Sequence, residues 1–558
     1  MADKYKELRP LELKSAEAKK NIELRAADKS HPKATFLKRY YSVLNEHSWN
    51  KAVIFDDISY SYEELEKYSN RFANYLKKHQ NIAFQMSKNC LEPIIALACL
   101  KTGKLFIPLD IDTPKSRVEY ILKASSADLF IVENDDGKTK NLSCITVETL
   151  REIIQDKKYD KPCIFSNLEA DKESTALIMF TSGTTGEPKG VKIQVGVIDA
   201  ICNYYNDYYA LTPESRVALW TNYAFDVHFI DMFPTLASGA QLWILDEETR
   251  LDITKTAEFI RENAITSLTI TTNIGAQLVT HLRDSNLKTL VLAGERFPEV
   301  EPEGDYKLFN CYGPTEAGGF TMYEVTHKSK STPIGKCVFG SQIYILDEAG
   351  NNVPDGVYGE ICASGELIAN GYLGGDNEDK ESPFIENPFY KYDGYKKMYK
   401  TGDIGRILKD GNAEYKGRAD RQIKIGGQRI EISEVEKNVL SHLHFNSAAV
   451  IFFENQLHCF YVTNREKNPH FQNVLKKHIP EYMIPSSFIR LNDLPKNANG
   501  KIDYDKLPLD EIKLHKARLL DNVPPQTFTE ERLYEIWKRV LKVDADFGIN
   551  TNFFDLGG

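Results

Sequence analysis

Hydrophobic positions along the chain fall into two textures that change near residue 330. In the first, short continuous apolar runs alternate with amphipathic stretches: Ala52–Phe55, Leu129–Val132, Leu177–Phe180, Gln241–Leu245 and Leu290–Ala293. Ser61 and Glu64 have the spacing of a capping box. Leu65, Tyr68, Phe72 and Leu76 then recur on one face at helical spacing, which predicts a helix. Continuous rather than alternating apolar strands, separated by helices, predict α/β layers with parallel sheet buried on both faces. Ordered structure is expected from near Lys51, with the Lys- and Glu-rich residues before it acting as a surface helix or lead-in.

In the second texture Ile343–Leu346, Val357–Cys362, Gly371–Leu373 and Ile404–Leu408 are short runs punctuated by Gly, Asp and Asn, which predicts a β-rich subdomain. Gly402, Gly411 and Gly417 lead up to a boundary at Asp420. Beyond it Val435–Leu440, Ala448–Phe453, Cys459–Thr463 and Phe471–His478 suggest a small α+β unit. Pro508, then Pro524 and Pro525, mark a linker. Leu533, Ile536, Trp537, Val540 and Leu541 share one stripe of a last helix. The expected division is a lead-in at 1–45, a large domain at 46–419, a small domain at 420–508, a linker at 509–526 and a further segment at 527–558.

Composition narrows the function. At about 100–200 residues per domain, 558 residues make three or four folding units. Seventy basic against eighty acidic residues leave a net charge of −10 with no basic block, so nucleic-acid binding has little electrostatic support. The apolar run Pro93–Leu100 is far shorter than the 18 or so residues of a membrane span. The charged N-terminus lacks a signal peptide's apolar core. Nine cysteines, none in a CxxC pair, fit inert thiols in a reducing compartment. These features predict a soluble, cytoplasmic, multi-domain enzyme with neither nucleic-acid nor membrane partners.

The chemistry concentrates at Thr181-Ser182-Gly183-Thr184-Thr185-Gly186-Glu187-Pro188-Lys189-Gly190, directly after an apolar strand. Its glycines permit positive φ, so backbone amides can converge on an anion, while hydroxyls and Lys189 add donors to phosphate oxygens. It is not a Walker A loop, because Lys189 is followed by Gly190 rather than Ser or Thr.

Together with this loop, a series of further motifs resembles the adenylate-forming superfamily, and within it the adenylation domains of non-ribosomal peptide synthetases. In order they are Leu100-Lys101-Thr102-Gly103, Ile107-Pro108-Leu109-Asp110, Phe225-Asp226, Asn310 to Glu316, Gly359-Glu360-Ile361, Tyr399 to Asp403, Gly417 to Lys424, Pro480 to Pro485, and Asn499 to Asp503. The resemblance implies an α/β fold: a large N-terminal domain of layered sheets with a β-rich subdomain, and a small α+β C-terminal domain. It also implies ATP, Mg²⁺ and an amino acid as reactants.

Residue roles follow from the same resemblance. Thr181, Ser182, Gly183, Thr184, Thr185, Gly186 and Lys189 would hold phosphates, joined by Asn310, Gly313 and Thr315. Tyr312 would stack on adenine, and its place in a Gly-Pro turn suggests an exposed ring. Glu316 would ligate Mg²⁺, Asp403 would accept both ribose hydroxyls, and Arg418 and Lys424 would approach ribose and phosphates. Asp420 would be the hinge. Lys501 would be catalytic, bridging the substrate carboxylate and the α-phosphate as charge builds there.

Substrate class rests on Asp226, which in the amino-acid-activating branch pairs with the substrate ammonium. The projected pocket is Asp226, Val227, Ile230, Thr269, Val291, Ala293, Cys311, Gly319, Phe320 and Lys501. The eight positions between the two ends are uncharged, which suits a neutral, mostly apolar side chain. Three departures stand out: His228 where the family usually has Ser, Lys400 in place of Arg, and Gln194-Val195 in place of Glu-His. The stretch from Pro524 resembles the start of a peptidyl carrier domain, stopping before the serine that would bear phosphopantetheine. It suggests a truncated piece whose partners are a carrier domain and neighbouring synthetase modules. Competing readings are a stand-alone acyl- or aryl-CoA ligase, which would not need Asp226, and a non-catalytic nucleotide-binding protein, which would not need the intact site.

Overall fold

The computed structural model describes residues 34–134, 142–161, 171–183, 187–375, 382–390, 395–418, 421–464, 471–496, 502–512, 523–540, 547–549 and 551. The chain divides into two compact units. One draws on residues up to 111, 120–181 and 189–420; the other draws on 112–119, 182–188 and 421 onward.

Order in the first unit begins earlier than Lys51. The helix Phe36–His47 is capped by Thr35, whose hydroxyl accepts from the Lys38 amide. Phe36, Leu37, Tyr40 and Val43 sink into the main core. The charged flank hid a stripe of only four apolar positions. β1 (Lys51–Phe55) and β2 (Ile58–Ser61) pair antiparallel. Ser61 and Glu64 close the expected capping box, each side chain bonding the other's amide at the head of the helix Tyr62–Tyr75.

β3 (Asn81–Gln85), β4 (Leu105–Pro108), β5 (Leu129–Val132), β6 (Ser143–Thr146), β7 (Thr175–Thr181) and β8 (Lys189–Gln194) form a sheet in the order β6-β5-β3-β4-β7-β8. All its pairs are parallel except β7 with β8. β9 (Arg216–Leu219), β10 (Gln241–Ile244), β11 (Ser267–Thr271), β12 (Thr289–Ala293), β13 (Lys307–Tyr312), β14 (Thr321–Val325) and β15 (Lys336–Cys337) join the first hairpin in a second sheet, ordered β15-β14-β13-β12-β11-β9-β10-β1-β2. Its interior is parallel and its two ends antiparallel.

The alternation of β11 to β13 sorts their side chains between two cores. Leu268, Ile270, Leu290, Leu292 and Leu308 enter one. Val291, Ala293, Phe309 and Cys311 enter the other, with Phe229, Ile230 and Phe233 of the helix Asp226–Ser238. Burial on both faces is why these strands read as continuous apolar runs.

β16 (Ser341–Leu346), β17 (Gly359–Gly365), β18 (Phe384–Glu386), β19 (Lys397–Ile407) and β20 (Ala413–Arg418) make the expected antiparallel β-rich part. Gly371–Leu373 is not a strand of it. Tyr372 makes an isolated bridge to Val191, and Gly371 and Gly374 at φ 86° and 82° curl the chain away.

In the second unit β21 (Ile423–Ile425) and β22 (Gln428–Ile430) form a hairpin before the helix Ile432–Leu443. β23 (Ser447–Phe453), β24 (Gln456–Val462) and β25 (Ser487–Arg490) form a mixed sheet. Val435, Val439 and Leu443 pack with Val450 and Cys459 in its core. The helix Phe528–Val540 appears where the stripe predicted one, with Leu533, Ile536 and Val540 exposed. Leu541 lies outside the described residues.

Candidate active site

Several of the residues expected to bind nucleotide lie at strand ends of the first unit. Tyr312 is the last residue of β13, and Asp403 lies on β19 directly opposite Arg418 at the end of β20. Arg418 Nη1 donates to Asp403 Oδ1 at 2.7 Å, and the Tyr312 hydroxyl donates to Oδ2. The ring of Tyr312 is half-buried rather than exposed, edge-on to Phe320 with centroids 5.5 Å apart. Burial, then the Asp403 carboxylate, holds its hydroxyl well above the usual phenol range. The turn after it needs glycine, because a Cβ on Gly313 would stand 1.6 Å from the Gly318 carbonyl oxygen.

Glu316 follows in that turn, only 1% exposed, and its Oε1 accepts from the Tyr372 hydroxyl at 2.7 Å. Lys189, at the start of β8, lies over the Tyr372 ring at 5.1 Å. Tyr372 thus links the lysine of the phosphate loop to the acid of the Asn310–Glu316 motif. Nothing in its own neighbourhood of sequence marked it for this role. Asn310 is turned away from the turn, its Nδ2 donating to the Pro333 carbonyl at 2.8 Å.

The loop after β7 continues in the second unit. There the Ser182 hydroxyl donates to the Arg429 carbonyl at 2.6 Å. The Gly183 amide donates to Glu434 at 3.0 Å, and Glu434 pairs with Arg117. Lys424 lies on β21 opposite Arg429. Thr184, Thr185, Gly186, Asp420 and Lys501 lie outside the described residues.

The projected pocket positions share a face. In the register of β11, β12 and β13, Thr269 aligns with Val291 and Ala293 with Cys311. These four side chains therefore project from the same side of the sheet. Asp226, Phe229, Ile230 and Phe233 of the helix Asp226–Ser238 line a small cavity of about 20 Å³, room for one water, whose other walls include Leu177 of β7 and Ile193 of β8 but none of those four sheet positions. Thr315 and Gly318 of the nucleotide turn line the same cavity. Val227 is half-buried beside Asp226, whose Oδ1 accepts from the Val227 amide at 2.9 Å. Phe320 is buried. Gly319 has no room for a side chain, since a Cβ would meet Tyr205 Oη at 2.3 Å and Cys311 Sγ at 2.5 Å.

The helix Asp226–Ser238 carries, opposite Thr269, a carboxyl the sequence did not single out. Asp231 is 1% exposed, its Oδ1 accepting from the Thr269 hydroxyl at 2.6 Å. Tyr209 Oη lies 2.6 Å from the same Thr269 oxygen. Asp231 Oδ2 has no partner among the described residues. Burial pushes this carboxyl up to about 8, against the opposing effect of the Thr269 and Tyr209 hydroxyls. The available signal was a lone acid inside an apolar helix.

The AMP-binding enzyme family matches residues 42–373, more than half of the chain. The chain belongs to this family. Among curated relatives of this AMP-binding enzyme, tyrocidine synthase 1 of Brevibacillus parabrevis is 32% identical over 91% of the chain and 48% of the relative. Surfactin synthase subunit 2 of Bacillus subtilis is 32% identical over 93% of the chain and 14% of the relative. The chain spans less than half the length of either. A solved non-ribosomal peptide synthetase protein with adenylation and carrier domains, bound to a vinylsulfonamide inhibitor, matches with TM-score 0.76 at 23% identity, covering 93% of this chain and 89% of that one. An o-succinylbenzoate CoA synthetase of Bacillus subtilis matches with TM-score 0.71 at 20% identity, covering 84% and 97%. The adenylate-forming fold is therefore shared across both kinds of enzyme.

The departures from the family pattern find partners. Lys400 Nζ lies 3.6 Å from Glu360, whose other oxygen accepts from the Gly402 amide at 3.0 Å, so Lys400 braces the turn before Asp403. Gln194 Nε2 donates to the Ile368 carbonyl at 3.1 Å. His228 is fully buried between Glu92 and the Thr221 carbonyl. Among the described residues no group of three or more His, Cys, Asp or Glu side chains gathers as a metal site. No described helix is long and apolar enough to cross a membrane.

Proposed function

We propose that this AMP-binding enzyme activates a neutral, mostly apolar α-amino acid as its aminoacyl-adenylate, releasing pyrophosphate. The observation that carries the reading is the cavity at which Asp226 meets Thr315 and Gly318. A carboxylate suited to an ammonium group stands at a small, otherwise uncharged cavity beside that turn. A CoA ligase acting on an aryl or fatty acid has no use for that carboxylate.

In the proposed reaction a substrate carboxylate oxygen attacks the α-phosphorus of ATP. The bond from that phosphorus to the bridging oxygen breaks, and pyrophosphate departs with the electron pair. Asp226 pairs with the ammonium and orients the carboxylate. Asp403 accepts the ribose hydroxyls in exchange for its present donors, the Tyr312 hydroxyl and Arg418. Lys501 supplies positive charge between the two approaching anions. Glu316 is a single hard oxygen donor, which fits Mg²⁺ carried on phosphates rather than caged by protein. Bound there, the ion would neutralise charge on the phosphate oxygens. The reading extends to transfer of the aminoacyl group to the phosphopantetheine thiol of a carrier domain within a synthetase, and to a cytoplasmic setting.

The test is amino-acid-dependent exchange of pyrophosphate into ATP, screened over the proteinogenic amino acids and a set of aryl acids. The greatest exchange is expected with a neutral, largely apolar amino acid. Greatest exchange with Glu, Lys or an aryl acid would overturn the pocket reading.

A further inference from the structure

Asp226 opens its helix without a side-chain cap from the residue before it, since that residue is Phe225. Its first turn is held instead by a segment distant in sequence, Met86–Glu92, which joins β3 to the helix Leu91–Thr102. The Tyr223 hydroxyl accepts from the Met86 amide at 2.9 Å and donates to the Met86 carbonyl. Lys88 Nζ donates to the carbonyls of Leu219 at 3.3 Å and Trp220 at 2.6 Å. His228 Nδ1 takes the next carbonyl, that of Thr221, at 2.9 Å. Three consecutive carbonyls on the approach to Asp226 are thus bonded by two buried basic side chains.

The far side of the imidazole completes the arrangement. His228 Nε2 lies 2.8 Å from the Glu92 carboxylate, with the histidine fully buried and Glu92 3% exposed. A carbonyl only accepts, so Nδ1 carries a hydrogen. Nε2 in turn faces the carboxylate at hydrogen-bond distance. Both ring nitrogens being engaged leaves the ring a single orientation. Removing either partner would leave the other buried and unmatched.

We propose that the Glu92–His228 pair, seated on the Met86–Lys88 platform, is a positioning device for Asp226. It sets where the carboxylate stands relative to the substrate ammonium. The proposal rests on the reading of Asp226 as the ammonium's partner. His228 sits two residues beyond Asp226 on the same helical turn and touches neither reactant on this account. A shift of about 1 Å in Asp226 would weaken the pairing and leave the nucleotide contacts unaffected, because Tyr312, Asp403 and Arg418 lie on other strands.

The full chain is assayed by amino-acid-dependent ATP–pyrophosphate exchange as wild type, His228→Gln, His228→Asn, Glu92→Gln and Asp226→Ala, with thermal midpoints measured alongside. Inhibition by the des-amino analogue of the preferred amino acid, which keeps its side chain and carboxylate, is measured on each. A displaced Asp226 should raise the amino-acid KM of His228→Gln about tenfold or more, while kcat and the ATP KM stay within about threefold. The des-amino analogue, which has no ammonium to pair, should inhibit variant and wild type alike. Glu92→Gln keeps a hydrogen-bond partner for neutral imidazole and should fall between the two. An unchanged amino-acid KM in folded variants overturns the proposal. So does an equal loss of affinity for amino acid, ATP and des-amino analogue, or failure of all three pair variants to fold, each of which marks a purely structural pair. Asp226→Ala with an unchanged amino-acid KM would instead overturn the reading of Asp226 itself.

Discussion

The proposed nucleotide end and the proposed amino-acid end of the site are built on different principles. At the nucleotide end the chemistry sits on short contiguous motifs at strand ends, where Tyr312, Asp403 and Arg418 already satisfy one another. A ligand there must replace existing hydrogen bonds with its own. At the proposed amino-acid end the positions are scattered through the chain, and Thr269, Val291, Ala293 and Cys311 meet because β11, β12 and β13 run in register. Its buried acids act through a second side chain, Asp231 bonded to Thr269 and Glu92 to His228. On the proposed function the first end would serve any adenylation, whereas the second would change its preference by single substitutions.

Substitutions can break or sharpen that contrast. The largest effect is expected for Asp226→Ala, which leaves an ammonium facing an apolar cavity and should cost about 2–5 kcal/mol in amino-acid binding. An amino-acid KM within twofold of wild type would remove Asp226 from the substrate's end. Lys501→Ala should slow adenylate formation about 10²–10³-fold, the usual loss for one transition-state donor. Both substrates should still bind, and a near-normal single-turnover rate would show that another group bridges the anions.

Asp403→Asn acts at the opposite end. Loss of a charged acceptor should cost about 1.5–3 kcal/mol in ATP binding, and the same factor should apply to every amino acid the enzyme accepts. A factor that varied with the amino acid would mean that the two ends are not separable. A separate effect, on stability rather than on substrate binding, is a pH slope at Asp231. Its carboxyl is pushed up to about 8 from an ordinary value of 3.8, so between those values the folded chain holds a proton that the unfolded chain has released. Stability from this group is complete below the lower value and is lost as pH rises through the upper one. The thermal midpoint of Asp231→Asn should therefore fall less than that of wild type between about pH 5 and 8. Parallel curves would show that the carboxyl is ionised in the folded state.

The same contrast explains what the sequence could disclose. The motifs proposed for the nucleotide end stood out because one loop or strand end carries several candidate residues at fixed spacing, as in Asn310 to Glu316. The parallel sheets were legible from uninterrupted apolar runs. Tyr372, Asp231 and Glu92 were not legible, because each is an ordinary residue alone and gains its role from a partner 38 or more positions away. His228 stood out only as a departure, and its meaning required Glu92. Tyr312 was expected to be exposed from its turn, but strand β13 carries it back against Phe320 and Asp403. The helix Phe36–His47 was hidden by charged residues around a narrow apolar stripe.

The central claim is that Asp226 and the nucleotide turn serve one reaction on an amino acid. Its most direct test is to incubate the enzyme with ATP, Mg²⁺ and the amino acid that gives the strongest exchange, isolate the protein rapidly and identify the bound small molecule by mass spectrometry. Aminoacyl-adenylate at close to one equivalent per chain, with matching pyrophosphate release, and its loss in Asp226→Ala, is the predicted result. Adenylate formed from an aryl acid and equally well by Asp226→Ala would contradict the account.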